Sequence, residues 1–189
     1  DGTGWGSIKG IHLYYGSAST YISNIDIVGN IIKDLTNPFD NTNYGGADGI
    51  MVQGFVDTVN ISQNMIQNVH SDGWAYGLEV TPTGNDPSLS PLNIMINNNF
   101  VDEITATTYP GVGLSIDAHT AGDSTVTPAD ASEVTVRENA FTNIAMPILN
   151  KDNSNTLDAS ANWFEVLTPT EVADSVTGDV DYTPWLISG

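Results

Sequence analysis

The sequence has no cysteine and very few positive charges. Of its 189 residues, four are Lys or Arg and 23 are Asp or Glu, so the formal net charge is −19. Without cysteine, neither a disulfide framework nor a thiolate metal site can form. A chain this acidic repels phosphate backbones, and we expect no nucleic-acid partner. No apolar run approaches the roughly 20 residues that a membrane-spanning helix needs, so we also expect no membrane span.

The excess of acids also bears on where the protein works. It fits an extracellular, salt-exposed or calcium-rich setting, and it fits equally well the simple need for solubility. A chain of 189 residues is long enough to bury most of its apolar surface in one core. We therefore predict a single domain, residues 1–189, located outside the cell or on its surface.

One pattern of apolar residues around an asparagine occurs five times in the sequence. The apolar residues alternate before the Asn, which predicts a strand, and another apolar residue after the Asn begins a second strand. Asn tolerates the left-handed backbone region, so it suits a tight bend between the two strands. The five copies are Ile25-Ile27-Asn30-Ile32-Leu35, Val59-Ile61-Asn64-Ile66-Val69, Ile94-Ile96-Asn99-Val101-Ile104, Val134-Val136-Asn139-Phe141-Ile144 and Leu157-Ala159-Asn162-Phe164-Leu167.

A further short strand precedes each copy of the pattern. In four copies it begins with glycine: Gly10-Ile11-His12-Leu13, Gly49-Ile50-Met51-Val52, Gly77-Leu78-Glu79-Val80 and Gly113-Leu114-Ser115-Ile116. The fifth, Pro147-Ile148-Leu149-Asn150, has lost the glycine. These segments are too short and too rich in Val and Ile for helices. One unit of three strands cannot bury its inner face alone, so we expect the units to stack around a continuous core.

This arrangement resembles the right-handed parallel β-helix family, with its pectate-lyase-like fold, over residues 10–167. The resemblance implies an all-β fold, a single-stranded right-handed parallel β-helix of about five turns. Residues 1–9 contain no sign of a capping helix, so we expect the first turn to leave strand edges open to another chain. The repeated asparagines would stack as a ladder of amide hydrogen bonds. They are Asn30, Asn64, Asn99, Asn139 and Asn162.

The C-terminal segment carries a second resemblance. Asn162-Trp163-Phe164, followed by Tyr182-Thr183-Pro184-Trp185-Leu186, is similar to the closing motif of β-helix domains in archaeal and bacterial surface proteins. That motif has a second Trp where this chain has Phe164. We interpret residues 168–189 as a cap over the exposed end of the coil. The aromatic residues of this cap would be structural rather than ligand-binding: Trp163, Tyr182 and Trp185.

The resemblance implies that an active site, if present, would lie on the outer face of the Gly-led strands. By alternation, the outward residues there are His12, Tyr14, Met51, Gln53, Glu79, Thr81, Ser115 and Asp117. Lyases of the family use a Lys or Arg base. The chain has four basic residues: Lys9, Lys33, Arg137 and Lys151. We expect none of them on this face, which argues against a lyase.

A hydrolase would need two acids, and Glu79 and Asp117 are the candidate pair. On neighbouring turns and offset by two residues, they would lie roughly 8 Å apart. That is within the spacing that inverting glycosidases use to admit a water. However, only Ala47-Asp48-Gly49-Ile50 faintly resembles one motif of polygalacturonase-like hydrolases, and their other motifs are missing. Since two acids on one face are expected in a chain with 23 of them, we favour the absence of catalysis.

Several aromatic residues precede the Gly-led strands and could form a column at one corner of the coil. They are Trp5, Tyr44, Trp74, Tyr76 and Tyr109. Such a column could bind sugars through its ring faces. We favour the alternative that it shields the corner or buries a subunit contact. The three histidines are scattered and predict no metal triad. An acidic corner such as 117–123 could bind calcium, although it lacks the spacing of a recognised calcium motif, and we expect no other cofactor.

These observations favour an extracellular, non-enzymatic structural module of a cell-surface layer, sheath or fibre. Open ends or edges of the coil would let copies of the chain associate by backbone pairing. The expected partner is therefore the chain itself, in a homo-oligomer or polymer. The alternative is a secreted domain that binds or degrades polysaccharides in the manner of an inverting hydrolase. Its partner would be a polysaccharide.

Overall fold

The structure is a computed structural model that describes residues 6–15, 20–38, 46–83, 89–118, 127–165 and 168–188. In these ranges it contains sixteen strands and one α-helix, numbered here in chain order. The strands form three sheets, and every strand pair is parallel. Within each sheet, strands from successive repeat units lie side by side. This arrangement confirms the predicted all-β class with stacked parallel strands and is consistent with a parallel β-helix.

Each sheet collects one strand type of the repeat. Sheet A holds the Gly-led strands and continues to the C-terminal segment: β1 (Ile8–Tyr15), β4 (Gly46–Gly54), β7 (Trp74–Thr81), β10 (Val112–Ile116), β13 (Met146–Asn150) and β15 (Val176–Thr177). Sheet B holds the five strands before the repeated Asn and also continues to the C-terminal segment: β2 (Ile22–Val28), β5 (Val56–Ser62), β8 (Leu92–Asn97), β11 (Val134–Arg137), β14 (Leu157–Asp158) and β16 (Val180–Asp181). Sheet C holds the strands after it: β3 (Ile31–Asn37), β6 (Met65–Ser71), β9 (Phe100–Ala106) and β12 (Ala140–Thr142). A 3₁₀ turn covers Ala131–Glu133, and α1 covers Pro169–Ser175.

The core runs through the stack as columns of apolar side chains from successive turns. In sheet A, Ile50, Leu78, Leu114 and Ile148 pair in register and are fully buried. Burying one such side chain stabilises the fold by about 1.5–3 kcal/mol. Because each column continues from turn to turn, every unit completes the core of its neighbour, as expected for a repeat fold.

The glycines that open the sheet A strands are required by close packing against sheet C. A Cβ atom at Gly77 would lie 2.5 Å from Val101 Cγ1 and 2.7 Å from the carbonyl oxygen of Gly113. Equivalent contacts face Gly49 and Gly113. No real Cβ atom approaches a carbonyl oxygen this closely, so a side chain at this position would push two sheets apart. The repeated glycine is therefore required because no room exists for a side chain, and not because of an unusual backbone angle.

The bend between sheets B and C differs in one detail from the prediction. Left-handed backbone angles occur one residue before each repeated Asn, at Gly29, Gln63, Asn98, Glu138 and Ala161. The expectation that the repeated asparagines themselves adopt this conformation is therefore wrong. The physical reason lies in their side chains, which turn into the stack and accept hydrogen bonds there.

Hydrogen bonds join the repeated asparagines of successive turns. The Asn30 Nδ2 atom donates to Asn64 Oδ1 at 2.9 Å, and the same 2.9 Å contact runs from Asn64 to Asn99, from Asn99 to Asn139 and from Asn139 to Asn162. Each Oδ1 atom also accepts from the backbone N–H of the Asn in the preceding turn. All but Asn30 are buried. These side chains therefore tie neighbouring turns together at one corner.

The first turn of the coil is less buried than the turns after it. Among the described strands, β1, β2 and β3 each lie at the edge of their sheet and pair along one side. Four inward apolar residues of this turn are only partly buried: Ile11, Leu13, Ile25 and Leu35. Their register partners in the next turn are fully buried: Ile50, Val52, Val59 and Val69. We call this surface the N-terminal end of the coil.

The opposite end carries structure that the repeat pattern did not predict. Helix α1 begins with a capping box, in which the Thr168 hydroxyl accepts from the Glu171 N–H and the Glu171 side chain accepts from the Thr168 N–H. Its residue Val172 is fully buried. After it, β15 and β16 extend sheets A and B, and the rings of Tyr182 and Trp185 pack against the core. No helix within the described ranges has the length and apolar character needed to cross a membrane.

Candidate functional site

The two acids considered as a hydrolase pair both belong to the outer side of sheet A. Glu79 is on β7, and Asp117 directly follows β10. Ser115 pairs with Glu79 in register, so Asp117 lies two residues further along the neighbouring turn. Their exposed fractions are 8% for Glu79 and 2% for Asp117. A polysaccharide at the protein surface could therefore touch only a small part of either carboxylate.

A third buried carboxylate joins this pair. Asp48 on β4 hydrogen-bonds the side chain of Glu79. It also forms an ion pair with Lys9, whose Nζ atom lies 3.0 Å from Asp48 Oδ2. Lys9 and Asp48 are register partners that immediately precede Gly10 and Gly49. We call Asp48, Glu79 and Asp117 the acid cluster.

The other end of the acid cluster is neutralised by a second lysine. The Nζ atom of Lys151, which follows β13, donates to Asp117 Oδ2 at 2.6 Å. The hydroxyls of Tyr76 and Ser115 also donate to this oxygen, at 3.4 and 3.5 Å. The expectation that no basic residue reaches this face is therefore wrong, because Lys9 and Lys151 both do. Each lysine sits beside a carboxylate whose burial without a counter-charge would be costly.

Sequence reasoning missed the two lysines for different reasons. Lys9 occupies the position before the repeated glycine, as Asp48 does in the next turn. Aligning the repeats at that position would have paired them. Lys151 lies beyond the end of its strand, where the repeats differ in length, so no periodic signal marks it. Its contact with Asp117 depends on the path of the chain directly after β13.

Burial and mutual repulsion control the protonation of the acid cluster. Burial and the negative charges of Asp48 and Asp117 raise the pKa of Glu79 well above its ordinary value. Burial also raises the pKa of Asp48, against the opposing charge of Lys9. The hydrogen bond between Asp48 and Glu79 contributes to the raised pKa of Glu79. The pKa of Tyr76 is raised by burial and by the neighbouring carboxylates.

Three of the aromatic residues predicted to share a corner lie together. The ring of Trp74 stacks on Tyr109 with centroids 3.6 Å apart and planes within 7°. Tyr76 is nearly parallel to Trp74 at 6.3 Å, and Lys151 Nζ lies 5.6 Å from the Trp74 ring. Trp5 and Tyr44 are outside the described residues. Since Tyr109 covers one face of Trp74, that face is closed to a sugar ring, and Lys151 adds a cation–π contact.

Two of the three histidines lie within the described residues, on different sheets. His12 Nε2 lies 3.1 Å from Gln53 Oε1, and burial lowers the pKa of His12. His70 on sheet C lies 3.6 Å from Asp72, and His119 falls outside the described residues. Among the residues that the structure describes, no three His, Asp or Glu side chains are grouped so that they could hold a metal ion. Part of the acidic corner 117–123 considered for calcium also lies outside them.

Comparison of the chain with models of protein families, with curated proteins and with solved structures gives no match. The protein can therefore be classified by its architecture. The chain is an all-β repeat protein with three stacked parallel sheets, and its candidate site is a buried acid cluster flanked by two lysines.

Proposed function

We propose that the chain is a right-handed parallel β-helix of about five turns that serves as an extracellular, non-enzymatic building block of a cell-surface layer, sheath or fibre. It joins further copies of itself through the N-terminal end of the coil. The observation that carries this proposal is the contrast in burial between Leu13 in the first turn and Val52, its fully buried register partner in the second. Among the described residues, no strand pairs with the outer edges of β1, β2 and β3.

Backbone and side chains at this end both favour another β-coil as the partner. Strands β1, β2 and β3 each pair along one side within the described residues, so their outer edges can accept further strands. The partly buried side chains Ile11, Leu13, Ile25 and Leu35 would complete their burial in the same contact. A second copy supplies edges and apolar side chains of the same kind, which makes the contact self-complementary.

The opposite end is proposed to be a cap. Helix α1, with Val172 buried beneath it, and the rings of Tyr182 and Trp185 pack against the core there. The asparagines at the corner would act as the ladder that holds the turns together. If only the N-terminal end is free, two copies meet end to end through the same surface. Such a contact closes at the dimer, so a layer or fibre needs one further contact.

The acid cluster supports a structural role more than a catalytic one. Asp48 and Asp117 each pair with a lysine, and the raised pKa of Glu79 favours its neutral form, so the cluster and its two lysines carry little net charge. All three side chains are almost fully buried. A general acid has to reach the bond it protonates, and a catalytic carboxylate has to reach the substrate or its water.

The test uses two neighbouring residues of β1 with opposite side-chain directions. We expect the wild-type chain to form dimers in sedimentation velocity, and Leu13→Lys to remain monomeric because the inserted charge cannot be buried in the contact. The long lysine stem can reach water at the open end, so the variant should still fold. Tyr14→Lys, on the exposed outer side of the same strand, is the matched control and should dimerise like the wild type. A monomeric wild type, or unimpaired dimers of folded Leu13→Lys, would contradict the proposal.

A second candidate function rests on the raised pKa of Glu79, which is a property of general acids in polysaccharide hydrolases. The chain would then bind or cleave a polysaccharide on the outer face of sheet A. An activity screen on plant and microbial polysaccharides tests it, with Glu79→Gln and Asp117→Asn as inactive controls. Turnover that survives both substitutions would remove these acids from the mechanism. A pure binding module would show affinity without turnover and lose that affinity in Trp74→Ala.

A further inference from the structure

A continuous column of apolar side chains runs along the outside of sheet C. It takes the first residue after each of the five repeated asparagines and continues through isolated bridges beyond sheet C to Leu186. The residues pair in register: Ile31, Met65, Phe100, Ala140, Trp163 and Leu186. Ile31 is 70% exposed, and Met65 and Leu186 are each 39% exposed. With about 4.8 Å between strands, the column is about 24 Å long. We call it the apolar stripe.

We propose that the apolar stripe is a second self-association surface, on which another copy of the chain packs with its coil axis antiparallel to the first. The stripe is separate from the N-terminal end, and the proposal does not depend on the end contact. Packing against a second copy would remove the exposed side chains of Ile31, Met65 and Leu186 from water, which is favourable. Charge and side-chain size along the stripe select a second copy and its direction.

The charges beside the stripe differ at its two ends. Lys33, two residues after Ile31, is exposed and has no described carboxylate within ion-pair distance, whereas Lys9, Arg137 and Lys151 each pair with an Asp. The neighbouring Asp34 accepts a hydrogen bond from Asn68 Nδ2 at 2.8 Å. The exposed Glu165, two residues after Trp163, lies towards the other end. An antiparallel copy brings each Lys33 within about one 4.8 Å strand spacing of the other copy's Glu165.

Side-chain sizes along the stripe also fit the antiparallel arrangement. A two-fold axis between Phe100 and Ala140 places the ring of Phe100 against the small Ala140 of the other copy. The same axis places Ile31 opposite Leu186 and Met65 opposite Trp163. In a parallel arrangement, Phe100 would meet Phe100 and Ala140 would face Ala140, which leaves a gap. Packing favours a large residue against a small one at facing positions.

The contact through the apolar stripe is expected to be weak by itself. It becomes important when it is combined with the contact through the N-terminal end. A stripe about 24 Å long and about 10 Å wide covers about 240 Å², well below the roughly 800 Å² per partner of a stable interface. We therefore expect dimers through the stripe only at high protein concentration. A copy bound through both the stripe and the N-terminal end has two different closed contacts. Alternation of the two contacts yields an extended assembly, whereas either alone stops at the dimer.

The first experiment isolates the stripe in the Leu13→Lys background, in which the end contact is removed. Sedimentation equilibrium at high concentration should show dimers. Met65→Lys should abolish them, whereas Met95→Lys, an exposed methionine of sheet B, should leave them unchanged. Lys33→Glu should weaken the dimer about tenfold, and adding Glu165→Lys should restore it, because two ion pairs become repulsive and then attractive again. Equal association of Met65→Lys and Met95→Lys, or failed restoration by the charge swap, would overturn the proposal.

A cross-linking experiment tests the direction of packing. The chain has no cysteine, so single thiols can be introduced without background. In the same Leu13→Lys background, a mixture of Ile31→Cys and Leu186→Cys should join through a short bifunctional thiol reagent. Neither variant should join to itself, because the two equal positions would lie about 24 Å apart along the stripe. Self-linking of each variant would contradict the antiparallel arrangement. Failure of the end contact would be recognised separately, because wild type and Leu13→Lys would then have the same size distribution.

Discussion

Replacing Asn99 by alanine removes a highly connected asparagine at the middle of the corner column. Its Oδ1 atom accepts from the backbone N–H of Asn64 at 3.0 Å and from Asn64 Nδ2 at 2.9 Å. Its Nδ2 atom donates to the carbonyl oxygens of Ile61 and Asn97 and to Asn139 Oδ1. The site is buried, so water cannot replace these contacts without opening the stack. Asn30 makes fewer side-chain hydrogen bonds to the described residues, where its Nδ2 atom donates to Asn64 Oδ1.

The two substitutions should therefore differ strongly in cost. In Asn99→Ala, the Asn64 N–H and the Ile61 carbonyl lose side-chain partners, and each unsatisfied buried group costs about 1–3 kcal/mol. Adding the cavity, we expect the free energy of unfolding to fall by about 3–5 kcal/mol. Asn30→Ala loses one hydrogen bond at the partly exposed end, which should cost about 1 kcal/mol.

Urea unfolding followed by tryptophan fluorescence and circular dichroism measures both variants against the wild type. Unfolding should be cooperative, because each turn completes the core of its neighbour, and the slope with denaturant should stay unchanged. The reasoning is refuted if Asn99→Ala unfolds within about 1 kcal/mol of the wild type. It is equally refuted if Asn30→Ala costs as much as Asn99→Ala, since the argument depends on the number of buried partners lost.

Two further substitutions test the packing and the electrostatics. Gly77→Ala should lower the free energy of unfolding by about 1–3 kcal/mol or more, because its Cβ would overlap Val101, whereas Gly6→Ala, with open space around it, should be neutral in the same thermal melts. Burial raises the pKa of Glu79, so the folded state keeps a proton that the unfolded state releases above pH 4.5, and stability should fall as the pH rises from that value. Glu79→Gln should flatten this decline in melting temperature, and an unchanged pH profile would show that Glu79 ionises normally.

Much of the architecture was predictable because it depends on periodic features. Alternating apolar residues specify which side of a strand faces the core, and the recurring Asn aligns the units, so the three strands of each turn followed from the pattern. The glycine at position 77 was recognised as part of the repeat. The reason that glycine is required there is the close approach of Val101 and the Gly113 carbonyl. That approach depends on the distance between two sheets, which the sequence pattern does not give.

Features that break the repeat were harder to predict. Helix α1 begins with a capping box from Thr168 to Glu171. This is a local helix signal that is independent of the strand repeat. Strand alternation correctly assigns Glu79 and Asp117 to the outer side of sheet A, but it does not predict that this side is buried. Lys151 reaches Asp117 from a segment outside the repeat. Such contacts depend on chain paths between strands, which periodicity does not describe.

The central claim is that copies of this coil join through their N-terminal ends, with the core columns continuing across the junction. Electron microscopy of the concentrated wild-type protein tests this claim most directly. Averaged images should show two coils in line, with the strand spacing of about 4.8 Å preserved through the contact. Coils that remain single at every concentration, or that meet only through other surfaces, would contradict it.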